Sequence, residues 1–215
     1  MAFEQFGPYA SIFASGTSYL SLLRLCSEET EPTIDRIQSA LGKNAHAQGI
    51  HAMLSEPNWR PHLVAALAIT LNRGEFFNFN PLWCAIDAGS WVTPQLVVTA
   101  LFSDPAFASQ VVSRIETHCS VTPPQIGVMI ERHSATGPAG LQERRAKMAA
   151  SLMSVVPLVP SLTAHAHKWR ESPAIQQLLI EDTTFDNSGK ITLEWSNELK
   201  RIFAKRGITL SPLSL

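Results

Sequence analysis

The feature that most constrains the fold of this chain is a short pattern that occurs twice. Leu54-Ser55-Glu56-Pro57-Asn58-Trp59 leads into Leu63, Val64 and Leu67, and Phe102-Ser103-Asp104-Pro105-Ala106-Phe107 leads into Val111, Val112 and Ile115, at a constant offset of 48 residues. In each copy the aromatic residue is followed by apolar residues four, five and eight positions later. That spacing is one face of a helix. Each run opens apolar-Ser-acid-Pro, which predicts a tight turn with proline at the first helical position, where its fixed φ and missing N–H are tolerated. The repeated unit is a helix-turn-helix, not a catalytic motif.

The same helix-start chemistry recurs along the chain. Before the carboxy-terminal tail, a small polar residue precedes proline at five places: Asn80-Pro81, Thr93-Pro94, Asp104-Pro105, Thr122-Pro123 and Ser172-Pro173. In each, the side-chain oxygen suits a free backbone N–H while the proline gives up a donor that has no partner. Val92-Thr93-Pro94-Gln95-Leu96 also echoes Val121-Thr122-Pro123-Pro124-Gln125-Ile126. An all-α chain follows, with helices expected near 17–26, 32–41, 45–54, 57–72, 81–88, 141–155, 162–170, 173–181 and 196–205. Residues 1–16 read as an ordered arm or a loose lead-in. Phe185-Asp186-Asn187-Ser188-Gly189-Lys190-Ile191 reads as a hairpin-like turn, and the alternation of Ile191 and Leu193 predicts at most one short β-hairpin near 184–194. The tail 208–215 is expected to pack loosely or not at all. A single domain covers 1–215, with core repeats over 50–156 and an irregular helical part over 157–215, where Pro157 and Pro160 break the chain.

The acid-Pro-x-aromatic turn, the paired aliphatic residues after it and the Thr-Pro-Gln-Leu start of the partner helix resemble HEAT-like or armadillo-like α-helical repeats. Their period of roughly 40–47 residues is close to the 48 seen here. The resemblance covers about 50–156. It implies stacked antiparallel helix pairs, an α-solenoid, whose exposed concave face binds a protein or peptide.

Composition narrows the function. A net charge of −1 and a pI near 6.7 leave no electrostatic footprint for nucleic acid or an anionic membrane surface. The longest apolar run, 63–71, is far below the ~20 residues of a membrane span. Cys26, Cys84 and Cys119 are scattered without CxxC spacing, which predicts reduced, buried thiols in a cytoplasmic chain. The amino terminus lacks the basic and apolar regions of a secretion signal.

Metal and catalytic patterns fare poorly. His165-Ala166-His167 would point its two rings apart on a helix, and no HExxH occurs. A calcium loop aligned on Gly189 would carry Trp195 where a bidentate glutamate is needed. Neither Walker, GxGxxG nor GxSxG motifs are present. No cofactor or metal is expected, and the chain reads as non-catalytic.

Two features point instead to a partner. The fifty residues from Val64 to Ser113 hold only four charged side chains, Arg73, Glu75, Asp87 and Asp104. These helices either sit centrally or present a face to another chain. An aromatic-rich insertion, with Phe76, Phe77, Phe79 and Trp83, lies near Trp91, and such side chains serve equally as interface anchors or as core plugs. With Trp59 and Arg60 they form the expected contact surface of a scaffold that binds a partner protein, as an adaptor or a toxin-neutralising immunity protein does. The alternatives are an all-α enzyme whose site assembles Asp87, His118, His133 and His165, and a structural subunit that self-associates.

Overall fold

Ten consecutive side chains, Pro61 to Thr70, are buried in one helix, and all eleven residues of another, Thr93–Ser103, are buried as well. A helix that is apolar on every side must be surrounded, so these two form the centre. The computed structural model describes residues 3–14, 18–44, 46–73, 78–120, 138–182 and 187–213. Among these, the α-helices are α1 (Ala10–Ala14), α2 (Thr30–Leu41), α3 (His46–Leu54), α4 (Trp59–Asn72), α5 (Asn80–Asp87), α6 (Thr93–Ser103), α7 (Phe107–Glu116), α8 (Pro138–Val155), α9 (Thr163–Glu171), α10 (Pro173–Glu181) and α11 (Ser188–Lys205). Four 3₁₀ segments join them, at Glu4–Tyr9, Ser18–Leu23, Val156–Leu158 and Pro160–Leu162. No strand occurs among the described residues.

The central pair, α4 and α6, pack on each other. Two buried threonines are satisfied within the pair. Thr70 Oγ1 donates to Ala66 O at 2.9 Å, and Thr99 Oγ1 reaches both Gln95 O at 3.0 Å and Ala66 O at 3.4 Å, a link from α6 to α4. The N-terminal elements α2, α3 and Ser18–Leu23 cover α4, while α5, α8 and α11 cover α6. Helix α8 in turn carries α10 and α11.

Helix α11 ties the two ends of the chain together. Trp195 Nε1 donates to Leu22 O at 2.9 Å. Past the helix end, Arg206 Nη2 lies 2.5 Å from Glu31 and 2.8 Å from Asp35 on α2. In a linear stack each helix pair touches only its neighbours; here the last helix reaches the first segments. The amino-terminal arm is equally built in, with Phe6, Tyr9, Ile12 and Phe13 buried.

Several local expectations need correction. The proposed strand at Ile191 and Leu193 is helical, because Asn187 is not a hairpin residue but the cap of α11. Its side chain accepts from Lys190 N at 3.2 Å, and Asp182 receives both the N–H and the hydroxyl of Ser188 at 3.0 and 3.1 Å. Gly189 serves close approach rather than a turn, since a Cβ there would lie 3.2 Å from Ala150 O of α8. Residues 184–186 of the proposed hairpin lie outside the described residues. In the two repeated turns the proline is not the first helical residue. Asn58 caps α4 through Arg60 N at 3.1 Å, and in the second copy Asp104 Oδ1 accepts from Ala106 N at 2.8 Å, so each helix starts two residues after its proline. Residues 18–23 form a 3₁₀ turn instead of an α-helix. In the tail, Leu210 is buried and Thr209 O accepts from Arg73, so residues 208–213 pack. Cys26 and Cys84 are exposed; only Cys119 is a buried thiol.

Gly49 of α3 faces the backbone of the amino-terminal arm, where a Cβ would meet Phe6 O at 2.5 Å. Gly49→Ala gains about 1 kcal/mol of helix propensity, but it must push a backbone carbonyl aside, at a cost of roughly 1–3 kcal/mol. The expected result in chemical denaturation is a lower midpoint; a stabilised variant would mean that the arm does not pack on α3 in solution.

Candidate functional site

The residues expected to form a contact surface separate into two environments. Trp59, Arg60 and Trp91 come together at the surface. The two indole rings lie 4.7 Å apart at an interplanar angle of 43°, and the Arg60 guanidinium stands 4.9 Å over the Trp59 ring. Asn58 places this group by capping α4 and by accepting from Arg60 Nη1 at 3.4 Å. Trp91 lies in the loop between α5 and α6 and is 52% exposed. That is a large exposure for a tryptophan.

Trp83 goes inward instead. Only 3% exposed, it donates from Nε1 to Asp104 Oδ2 at 2.6 Å, and Asp104 is itself buried. The Arg114 guanidinium covers the other side of the indole at 4.2 Å and pairs in bidentate fashion with Asp87, at 2.7 Å to each oxygen. This set binds α5, α6 and α7 into one another. Phe79 is half-buried and packs against the same core. Phe76 and Phe77 lie outside the described residues.

Of the residues of the alternative enzyme site, Asp87 and His165 have partners of their own. Asp87 belongs to Arg114. His118 is exposed at the end of α7, and His165 is exposed and stacks on Trp169 at 5.2 Å. His133 lies outside the described residues. Among the described residues no three His, Cys, Asp or Glu side chains converge on a point that would hold a metal. Burial pushes the Cys119 thiol up to about 12, so it is a protonated core side chain.

One histidine drew no attention in the sequence. His62 is 1% exposed; its Nδ1 lies 2.7 Å from Ser90 Oγ and its Nε2 lies 2.9 Å from Glu56 O. A carbonyl only accepts, so Nε2 carries the proton and Nδ1 accepts from the serine hydroxyl. Burial lowers the ring to about 4 against the opposing pull of backbone hydrogen bonds. An imidazole so hard to protonate is a poor general base at neutral pH. Serine and histidine separated by twenty-eight residues carry no motif, which is why spacing could not reveal the pair.

A groove of about 1510 Å³ opens beside Trp91. Its floor and walls come from the end of Ser18–Leu23, the start of α6, the first half of α8, the end of α10 and the first half of α11. Trp91 and Ile180 line it, and at 52% and 67% they are the most exposed large apolar side chains among the described residues. Charges of both signs surround them, including Arg24, Lys190, Glu143 and Glu181. Lys190 is drawn to Glu194 at 3.7 Å, and Gln177 and Gln142 donate to Glu181, holding its carboxyl below the usual range. The volume exceeds the roughly 300–1,000 Å³ of small-molecule pockets. Exposed apolar anchors within a polar rim are the anatomy of a protein contact.

No family model, no curated protein and no solved structure matches this chain. The groove and its rim therefore have to be interpreted from their own chemistry.

Trp83→Phe separates the two environments experimentally. It removes the donor to buried Asp104, at a cost of roughly 1–3 kcal/mol for the unsatisfied carboxylate. A lowered melting temperature with unchanged exposure of Trp91 to quenchers is expected; an unchanged melting temperature would show that the Trp83–Asp104 bond is not formed.

Proposed function

We propose that this protein is a non-catalytic helical scaffold that binds a partner protein by receiving a peptide-sized segment in the groove beside Trp91. The observation that carries this reading is that the two most exposed large apolar side chains, Trp91 and Ile180, line the same groove. Trp59 and Arg60 extend the contact outwards from Trp91. Exposed tryptophan and arginine are the side chains that most often dominate binding energy. The HEAT-like reading is supported by α3 and α4, which are joined by a short turn and packed together. Exposed thiols at Cys26 and Cys84 suit a reducing compartment, in keeping with a cytoplasmic protein.

The test is capture from lysate of the source cell with the wild-type protein and with the double variant Trp91→Ala, Ile180→Ser. One stoichiometric protein is expected on the wild type, its affinity reduced at least ~30-fold by loss of a central anchor worth ~2 kcal/mol or more. Both substituted side chains are exposed, so the variant should keep its melting temperature. Cys26 lines the groove, and its alkylation should slow when the partner is bound. Equal capture by both proteins would place the contact elsewhere. A dimeric solution mass that Trp91→Ala, Ile180→Ser converts to monomer would identify the occupant as a second copy.

A further inference from the structure

The groove beside Trp91 is lined by charges of which only some are paired within the protein. On the α11 wall Lys190 lies 3.7 Å from Glu194, and Glu198 lies 2.6 Å from Arg201. Lys147 on α8 is engaged as well. The side chains of Arg24 and Glu143, both exposed to the groove, make no hydrogen bond or ion pair among the described residues. Glu181 receives the neutral amides of Gln142 and Gln177, and Arg145 acts on it only from farther off.

The unpaired charges are sorted by wall. Gln142, the neighbour of Glu143 on α8, bonds Glu181 at the end of α10, so both carboxylates belong to the α8–α10 side. Trp91 is held to this side too. Arg144 of α8 donates to Ala88 O at 3.1 Å and packs on Gly89, where a Cβ would lie 2.5 Å from its Cγ. Ile180 precedes Glu181 directly. Arg24 instead follows Ser18–Leu23, the segment that α11 meets through Trp195 at Leu22 O, and α6 through Gln95 Nε2 at Leu23 O, 3.1 Å away. One side of the groove thus combines two large apolar side chains with two carboxylates, and the other offers a guanidinium.

Any occupant that covers Trp91 and Ile180 also takes water from these charges. A charge removed from water without a counter-charge costs more than the burial of one large apolar side chain gains. A wholly apolar segment is therefore a poor fit, and a polyanion would be repelled by Glu143 and Glu181. We propose that the groove takes a peptide segment of a partner protein in one direction, with an apolar residue and a lysine or arginine against Trp91, Ile180, Glu143 and Glu181, and an aspartate or glutamate against Arg24. This inference rests on the groove reading above and adds to it the chemistry and direction of the segment. Arginine suits the first place best, because its guanidinium both stacks on an indole and forks to carboxylates. The reversed segment is excluded by repulsion, since like charges would then face each other on both walls.

Random peptides displayed on phage and selected against the immobilised full chain supply the probe. Peptides retained by the wild type but not by Trp91→Ala, Ile180→Ser are expected to carry a basic residue beside an apolar one, with an acid always on the same side of them. For one such synthetic peptide, replacing its base by glutamate should weaken binding to the wild type at least ~10-fold, and Glu143→Lys should recover binding of that reversed peptide. Replacing its acid by lysine should weaken binding similarly, with recovery by Arg24→Glu and not by Glu143→Lys. Both substituted positions are exposed, so unchanged melting temperatures are expected of the variants. Groove-dependent peptides without charge preference, or reversals that neither variant recovers, overturn the proposal and leave the groove reading in place. If no peptide depends on Trp91 and Ile180, the groove reading fails and this proposal with it. A dimer that Trp91→Ala, Ile180→Ser converts to monomer makes the occupant a second copy and overturns the proposal.

Discussion

Everything in this protein is arranged around two helices that have no polar face. Helices α4, over Pro61 to Thr70, and α6 bury side chains in every direction, so neither can stop at one partner. Burying a Leu, Val, Ile or Phe side chain contributes on the order of 1.5–3 kcal/mol, and that gain is realised only when cover exists on all sides. The amino-terminal segments supply it for α4, and α5, α8 and α11 supply it for α6. Because the cover comes from both ends of the chain, closing it brings α11 against Leu22 and brings Arg206 against α2. The groove lies where these two coverings meet.

Polar groups inside such a core are acceptable only when paired. Three arrangements meet that condition differently. Thr70 and Thr99 return their hydroxyls to helix carbonyls. Asp104 keeps a buried carboxylate by accepting from the Trp83 indole and from the Ala106 amide. His62 stays neutral between a carbonyl and a hydroxyl. The third depends on a ring that burial keeps neutral. The His62–Ser90 pair lies next in the chain to the exposed Trp91.

The repeated motif shows how local and tertiary information part company. Both copies make a turn followed by a helix two residues past proline, as turn chemistry dictates. The acids at equivalent positions nevertheless do unrelated work. Glu56 accepts from Gln5 at the surface, whereas Asp104 is buried against Trp83. The helices also diverge, because ten successive residues of α4 are buried but only Phe107, Val111 and Ile115 of α7. A single apolar stripe was enough to predict each helix and says nothing about how many sides are covered.

The sequence by itself determined that this chain is all-helical, where most helices begin and end, and that Val64 to Ser113 needed exceptional cover. Those properties come from residue spacing and cap chemistry, which act over a few residues. Only the tertiary structure decided that Trp83 turns inward while Trp91 remains exposed, that Ile180 joins Trp91 along one groove, and that Ser90 meets His62. It also decided that Asn187 starts a helix, because Asp182 and the surface of α8 are there to receive its first turn. Side chains that are equivalent in sequence acquire different roles from what packs over them, and that is a property of distant parts of the chain.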